Sequence, residues 1–368
     1  MPTSSCLLPR VFWLIVGGGV CVTCFGRNRP RILPVPPDPL ELVTGRVETP
    51  QNRDEILKLL ERARNNFVLR RSEEAYDLKV SFTVDSLGQT DYDGSWEMED
   101  VNIPGQGLHW TAKSAAGYVA TRVSTAEGNY AEGTASYIPL RLHEARGLLN
   151  NPLPSPAYAN RGTIRSATAS FHDRAVTCLL LSGPRNSAIP KLGRAWEEAE
   201  ECIDPQSGLL QLHSEAPGRY VVYDYTTPFR VGEHVLPQSI TVTEAGRVVS
   251  KISVESVTPV AGTDSSLVVP TEAMRAGEPA ITIKGAVRIS RLHRQGRFTA
   301  GMTLRAVCVF GVVTPTGQLV EAHSLQPSDP NSDVAVEDAI GIDFSPRLTP
   351  GAPPEQRFAF VIEKFLSK

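Results

Sequence analysis

From Leu78 to Asp85 the chain alternates strictly: Leu78, Val80, Phe82 and Val84 are apolar, while Lys79, Ser81, Thr83 and Asp85 are polar. Successive side chains of a strand point to opposite faces, so this stretch fits a half-buried strand and does not fit a helix. Further strands are predicted over 168–172, 175–181, 209–213, 219–225, 234–243 and 248–257. The 29 glycines and 29 prolines supply the turns that many short strands need. Two helices accompany them. Over 54–71, Ile56, Leu59, Leu60, Ala63 and Phe67 recur at spacings of three and four; over 140–149, Leu142, Ala145, Leu148 and Leu149 share a face. The fold class is α+β, mainly antiparallel β: one meandering sheet of roughly eight or more strands with helices to cover it.

A second unit closes the chain. Val307, Val309, Val312 and Val313 lie on a strand that runs into the turn Thr314-Pro315-Thr316-Gly317. A returning strand (319–325), a short helix (332–342), the pair Phe344 and Pro346, and a final strand (357–365) complete a small ββαβ block. With 368 residues, two domains are expected. They are placed at 51–258 and 281–368, joined by a linker over 259–280 that contains Pro259, Gly262, Ser265, Pro270, Gly277 and Pro279.

The apolar run 11–25 follows Arg10 and precedes Arg27, Arg29 and Arg31. It is shorter than the roughly 20 residues of a membrane span, so residues 1–26 read as an export signal, or as an N-terminal anchor if uncleaved. Membrane contact is expected only through that segment. Residues 27–50, with Pro34, Pro36 and Pro37, read as a flexible tether. Export to an oxidising compartment makes a disulfide between Cys178 and Cys202 the expected state, each on a predicted strand of the large sheet. Two buried free thiols are the alternative. Cys308, between Val307 and Val309, reads as a packed core thiol.

The 37 basic and 40 acidic residues offer no basic stripe, and no nucleic-acid partner is expected. The seven histidines are scattered without metal-ligand spacing, and neither a nucleophile elbow nor a phosphate loop is present, so no catalytic residue, metal or cofactor is assigned. His172-Asp173 reads as strand-edge polar residues ahead of a triad. Glu197, Glu198, Glu200 and Glu201 read as a solvated face ahead of an acid/base or calcium site. Phe82, Trp96, Trp110, Tyr118, Tyr220, Tyr223 and Tyr225 sit on strands of the large sheet. They either form an ordinary core or line a cavity for an acyl chain or another apolar ligand.

Two resemblances follow. Cys202-Ile203-Asp204-Pro205-Gln206-Ser207-Gly208-Leu209, Tyr223-Asp224-Tyr225 and Leu236-Pro237-Gln238-Ser239-Ile240, behind the first alternating strand, resemble the LolA-like family of lipoprotein carriers and outer-membrane sorting proteins. That resemblance implies an unclosed, curved half-barrel covered by helices, whose concave face receives lipoprotein acyl chains in the periplasm. Gly311-Val312-Val313-Thr314-Pro315-Thr316-Gly317-Gln318-Leu319-Val320, Ala335-Val336-Glu337-Asp338-Ala339, Phe344-Ser345-Pro346, Gly351-Ala352-Pro353 and the closing strand resemble the TonB C-terminal domain. That resemblance implies docking of an envelope protein by strand addition. Phe358, Phe360 and Ile362 on the last strand are the expected docking edge. The resulting expectation is a non-enzymatic periplasmic protein pairing a lipid- or lipoprotein-binding domain with a protein-docking domain. A TonB-type energy transducer, a ligand-free scaffold and a hydrolase with a hidden triad are the alternatives.

Overall fold

The computed structural model describes residues 31–67, 69, 72–87, 93–134, 138–183, 190–261, 264–277, 286–293, 301–344 and 357–367. The apolar run 11–25 and the Gly351-Pro353 loop lie outside the described residues. Among the described residues, no helix is long and apolar enough to cross a membrane.

The short strand β1 (Arg31–Ile32) and helix α1 (Arg53–Phe67) precede β2 (Tyr76–Val84), β3 (Gly94–Ile103), β4 (Gly107–Ser114), β5 (Val119–Thr125) and β6 (Asn129–Gly133). Helices α2 (Leu140–Asn150) and α3 (Pro156–Arg161) lead to β7 (Thr163–Phe171), β8 (Arg174–Ser182), β9 (Ala199–Ile203), β10 (Leu210–Ala216) and β11 (Arg219–Asp224). A small ribbon, β12 (Phe229–Val231) and β13 (His234–Leu236), is followed by β14 (Ser239–Glu244) and β15 (Arg247–Pro259). The rest comprises α4 (Glu272–Ala276), β16 (Val287–His293), β17 (Thr303–Val313), β18 (Leu319–Ser324), α5 (Ser332–Ile340) and β19 (Arg357–Ser367).

Twelve strands make one antiparallel sheet in the order β6-β5-β4-β3-β2-β15-β14-β11-β10-β9-β8-β7. Its end strands β6 and β7 do not pair, so the curled sheet stays an open half-barrel. The alternation read at Leu78–Val84 holds: Leu78, Val80, Phe82 and Val84 are buried in the main core. Leu60, Ala63 and Phe67 of α1 and Leu142, Ala145, Leu148 and Leu149 of α2 cover that same face. The Asp204-Gly208 turn ties α1 down. Asp204 Oδ1 accepts from the Gln206 amide at 2.8 Å, and Gly208 takes φ +74°, a left-handed conformation that suits glycine. The exposed carbonyls of Pro205 and Ser207 then accept from Arg62 and Asn66 of α1.

The second sheet has the order β1-β17-β19-β16, with β18 also on β17. The expected hairpin, helix and closing strand are present. Two parallel pairings were not expected: β1 on β17 and β16 on β19. They correct two expectations. β19 is not an edge, because Phe360 pairs with Phe310 on one side and Arg288 on the other, and Ile362 with Cys308 and Ser290. Phe358, Phe360 and Ile362 pack inward with Trp196, Ala216 and Phe310 instead of meeting a partner. Residues 31–50 are not a flexible tether but a strap. Leu33 donates to Leu304, Val43 and Val47 are buried on the outer face of β8–β11, and the Glu48 amide bonds Ser166. Within the expected linker 259–280, the described residues 264–277 are packed and not free, with Val268 and Met274 buried.

The two sheets meet at the β10–β11 turn. A Cβ on Gly218 would stand 2.5 Å from the Leu325 carbonyl oxygen, so only glycine permits this approach. Gln326 locks the contact by donating to the Pro217 carbonyl at 2.8 Å and accepting from the Cys308 amide at 2.8 Å.

Candidate functional site

The concave face of the half-barrel is the first of two candidate sites. Phe82 faces Trp96 across the β2–β3 ladder and stacks on it, with centroids 5.4 Å apart; Tyr118 lies 5.4 Å beyond. Phe67 of α1 meets Tyr223 edge-on at 5.4 Å. These rings fill the trough with their own side chains. Six of the seven aromatic candidates, Phe82, Trp96, Trp110, Tyr118, Tyr223 and Tyr225, belong to this core or pack on it. Tyr220 does not: it stands an odd number of residues from Tyr223 and points to the opposite face, among Val43, Cys178 and Leu212. The Tyr223 and Tyr225 hydroxyls are buried without a partner among the described residues, and burial pushes both pKa values well up.

Helix α2 lies against this face with polar anchors at both ends. Near its C-terminus, Arg146 stacks over Trp110 at 4.0 Å and reaches Asp100 Oδ2 at 3.3 Å, with Asn150 Nδ2 at 3.5 Å from the same oxygen. At its start, Arg141 binds Glu244 at 2.9 Å and Glu144 at 3.2 Å, and Arg219 also binds Glu144 and Glu244. Phe310 and Phe358 of the second sheet cap the two guanidiniums at 5.0–5.5 Å. Buried charges of this kind hold only while every partner is present. They make α2 a cover fixed by a few specific bonds.

The expectation of a solvated acidic run fails for three of the four glutamates: Glu198, Glu200 and Glu201 are at most 1% exposed. Glu198 grips Arg165, and Glu200 shares Arg194 with Glu41 of the strap. Cys178 and Cys202 are direct cross-strand partners joined by a disulfide, with Cα atoms 3.9 Å apart. Glu200 approaches both sulfurs, but a disulfide has no thiolate to offer a metal. Cys308 is buried, and burial pushes its thiol up to about 12.

The second site is a cleft of about 580 Å³ where β9 and β10 meet β16. His213 Nδ1 lies 3.0 Å from Glu201 Oε2 on its floor. Burial opposes charge on His213, yet Glu201 and Glu215 raise its pKa above the ordinary 6.5. Burial also raises Glu201. Arg288 of β16 reaches across to the carbonyls of Glu197 and Glu215. His172 and Asp173 both have positive φ (47° and 60°) and form the tight β7–β8 turn, where the His172 ring stacks on Phe171.

No protein-family model and no curated protein matches the chain. Among solved structures it is similar to a LolA superfamily protein from Nitrosomonas europaea, at 10% identity and TM-score 0.36, over 58% of this chain and 96% of that one. It is also similar to a DUF1329 family protein from Desulfovibrio piger, at 8% identity and TM-score 0.37, over 60% of this chain and 98% of that one.

Proposed function

We propose that this chain is a non-enzymatic cell-envelope protein of the periplasm, whose half-barrel takes up an acyl chain of a lipid or lipoprotein in place of α2. The observation that carries the reading is the pairing of an apolar trough with a helix laid over it. The concave face of a twelve-stranded sheet carries the main apolar core, and α2 is fastened over it by ion pairs to Glu244 and Asp100 near its ends. A hydrocarbon chain would contact the same side chains that Leu142, Ala145 and Leu149 now touch, at a gain of roughly 25 cal/mol per Å² buried. The second sheet, with its TonB-like order of hairpin, helix and closing strand, is read as the element that docks an envelope partner. Its rigid seat on the half-barrel, through Gln326 and Phe310, argues against a role as a mobile energy transducer.

The test is saturable uptake of a fluorescent fatty acyl probe by delipidated full-length protein, competed by unlabelled fatty acid. Absence of uptake would leave the second reading, a scaffold without ligand. That reading is favoured by one observation: Phe82, Trp96 and Tyr118 already fill the trough.

A further inference from the structure

We propose that the half-barrel takes an amphiphile with an anionic head, a carboxylate or a phosphate, and that Arg122 of β5 receives that head. This rests on reading the trough as an acyl site, and it names the class of lipid that the site selects.

Arg122 stands on the concave face, in one cross-strand row with Asp100 and Trp110. Trp110 beside it and Ala120 on its own strand belong to the main core, and Arg122 itself is 5% exposed. Its Nε and Nη1 are buried with no hydrogen-bond partner among the described residues. The other arginines buried there behave differently: Arg64, Arg141, Arg146, Arg165, Arg194 and Arg219 each hold a carboxylate. A guanidinium stays charged and is built to donate, so burying one without an anion is costly. Burial lowers the Arg122 pKa, and the Tyr118 phenol is the neighbour that opposes the fall.

The place of this cation selects the ligand. Tyr118 packs on Trp96, which stacks on Phe82, so the guanidinium adjoins the aromatic floor that an acyl chain would touch. Asp100, the acid of the same row, is two strands away and is held by Arg146 of α2. A carboxylate or phosphate oxygen at the end of an acyl chain can accept from Arg122 while the chain lies on Trp110 and Ala112. An uncharged ester or glyceride leaves the guanidinium without its anion, and a cationic head is repelled.

The test uses delipidated full-length protein and compares the fluorescence titration of cis-parinaric acid, in its ionised form, with that of its methyl ester. Wild type should bind the acid at least tenfold more tightly; tenfold is roughly one charge-assisted hydrogen bond. Arg122→Met should lose that preference, and its urea midpoint should equal or exceed that of wild type, because the change removes a buried charge that has no partner. Arg122→Lys should keep part of the preference. Displacement of the acid by phosphatidic acid ahead of oleate identifies the head as a lipid phosphate, and the reverse order identifies it as a free carboxylate. Displacement by neutral diacylglycerol as readily as by either overturns the proposal. A marked fall in the Arg122→Met midpoint gives Arg122 a structural role and overturns it too. Equal affinity of wild type for acid and ester, or an unchanged preference in Arg122→Met, sinks the proposal and leaves the acyl reading standing. Uptake of neither probe sinks both.

Discussion

Glu41 and Glu200 converge on one nitrogen of Arg194: Nη1 lies 3.5 Å from Glu41 Oε2 and 3.4 Å from Glu200 Oε2. Tyr220 donates to the same Glu41 oxygen at 3.0 Å. One cation thus serves two buried carboxyls, one on the strap and one on β9. Burial first, and the neighbouring Glu41 second, hold the Glu200 pKa well above the ordinary 4.5. The folded state therefore keeps a proton that the unfolded chain releases. The stability linked to Glu200 is fully present below about 4.5 and drains as pH rises towards the elevated folded value. Glu200→Gln mimics the protonated form. Its melting temperature should match the wild type below about pH 4.5 and exceed it increasingly as pH rises from there towards the elevated folded value. A constant difference at all pH values would contradict a retained proton.

The bonds that fasten α2 are testable separately. Arg146→Ala strands the Asp100 carboxylate, which is fully buried, and should cost about 3–5 kcal/mol in urea unfolding. The double variant Arg146→Ala/Asp100→Ala removes both charges and should recover part of that loss. If α2 is the cover of an acyl site, the double variant also takes up the acyl probe faster than the wild type. Equal rates would detach α2 from ligand entry.

Much of this architecture was legible, and the failures share a cause. The β2 alternation, the Asp204-Gly208 turn and the apolar faces of α1 and α2 are encoded within a few residues. Each element therefore announced itself through period or turn chemistry. Even the position of Tyr220 was readable, since an odd spacing from Tyr223 forces opposite faces. The buried glutamates were not readable. Arg165 reaches Glu198, and Arg194 and Glu41 reach Glu200, only after distant segments fold together. The same holds for β19: its second neighbour, β16, arrives by a parallel crossover that leaves no local signature.

The Cys178–Cys202 disulfide crosses neighbouring strands and is sealed by the strap, both cysteines being fully buried. Replacing both cysteines with alanine should cost about 2–4 kcal/mol. Burial adds a kinetic expectation. Under native conditions dithiothreitol reduces the bond no faster than the protein unfolds, and iodoacetamide leaves Cys308 unmodified until denaturant is added. Rapid alkylation of the folded protein, read by intact mass, would contradict the packing of the strap and of the inter-sheet contact.

Glu244 carries the opposite pH signature to Glu200. Burial pushes its pKa up, but Arg141, the bond to His323 and Arg219 outweigh burial and hold it well below the ordinary 4.5. The unfolded chain therefore takes up a proton first as pH falls. The stability linked to Glu244 is present above about 4.5 and is lost as pH drops through the depressed folded value. Glu244 touches α2 through Arg141 and the second sheet through His323 at 3.2 Å, so its loss loosens both at once. Glu244→Gln leaves two buried guanidiniums short of a counter-charge and should cost about 3–5 kcal/mol near neutral pH. The difference from wild type should shrink steadily in strong acid, where the wild-type carboxylate is itself protonated. Hydrogen exchange locates the effect: the variant at neutral pH should lose protection first over 140–150 and 319–326, with the β2–β3 ladder unchanged. Uniform loss across the sheet would show that Glu244 supports the fold as a whole and not the junction between its two sheets.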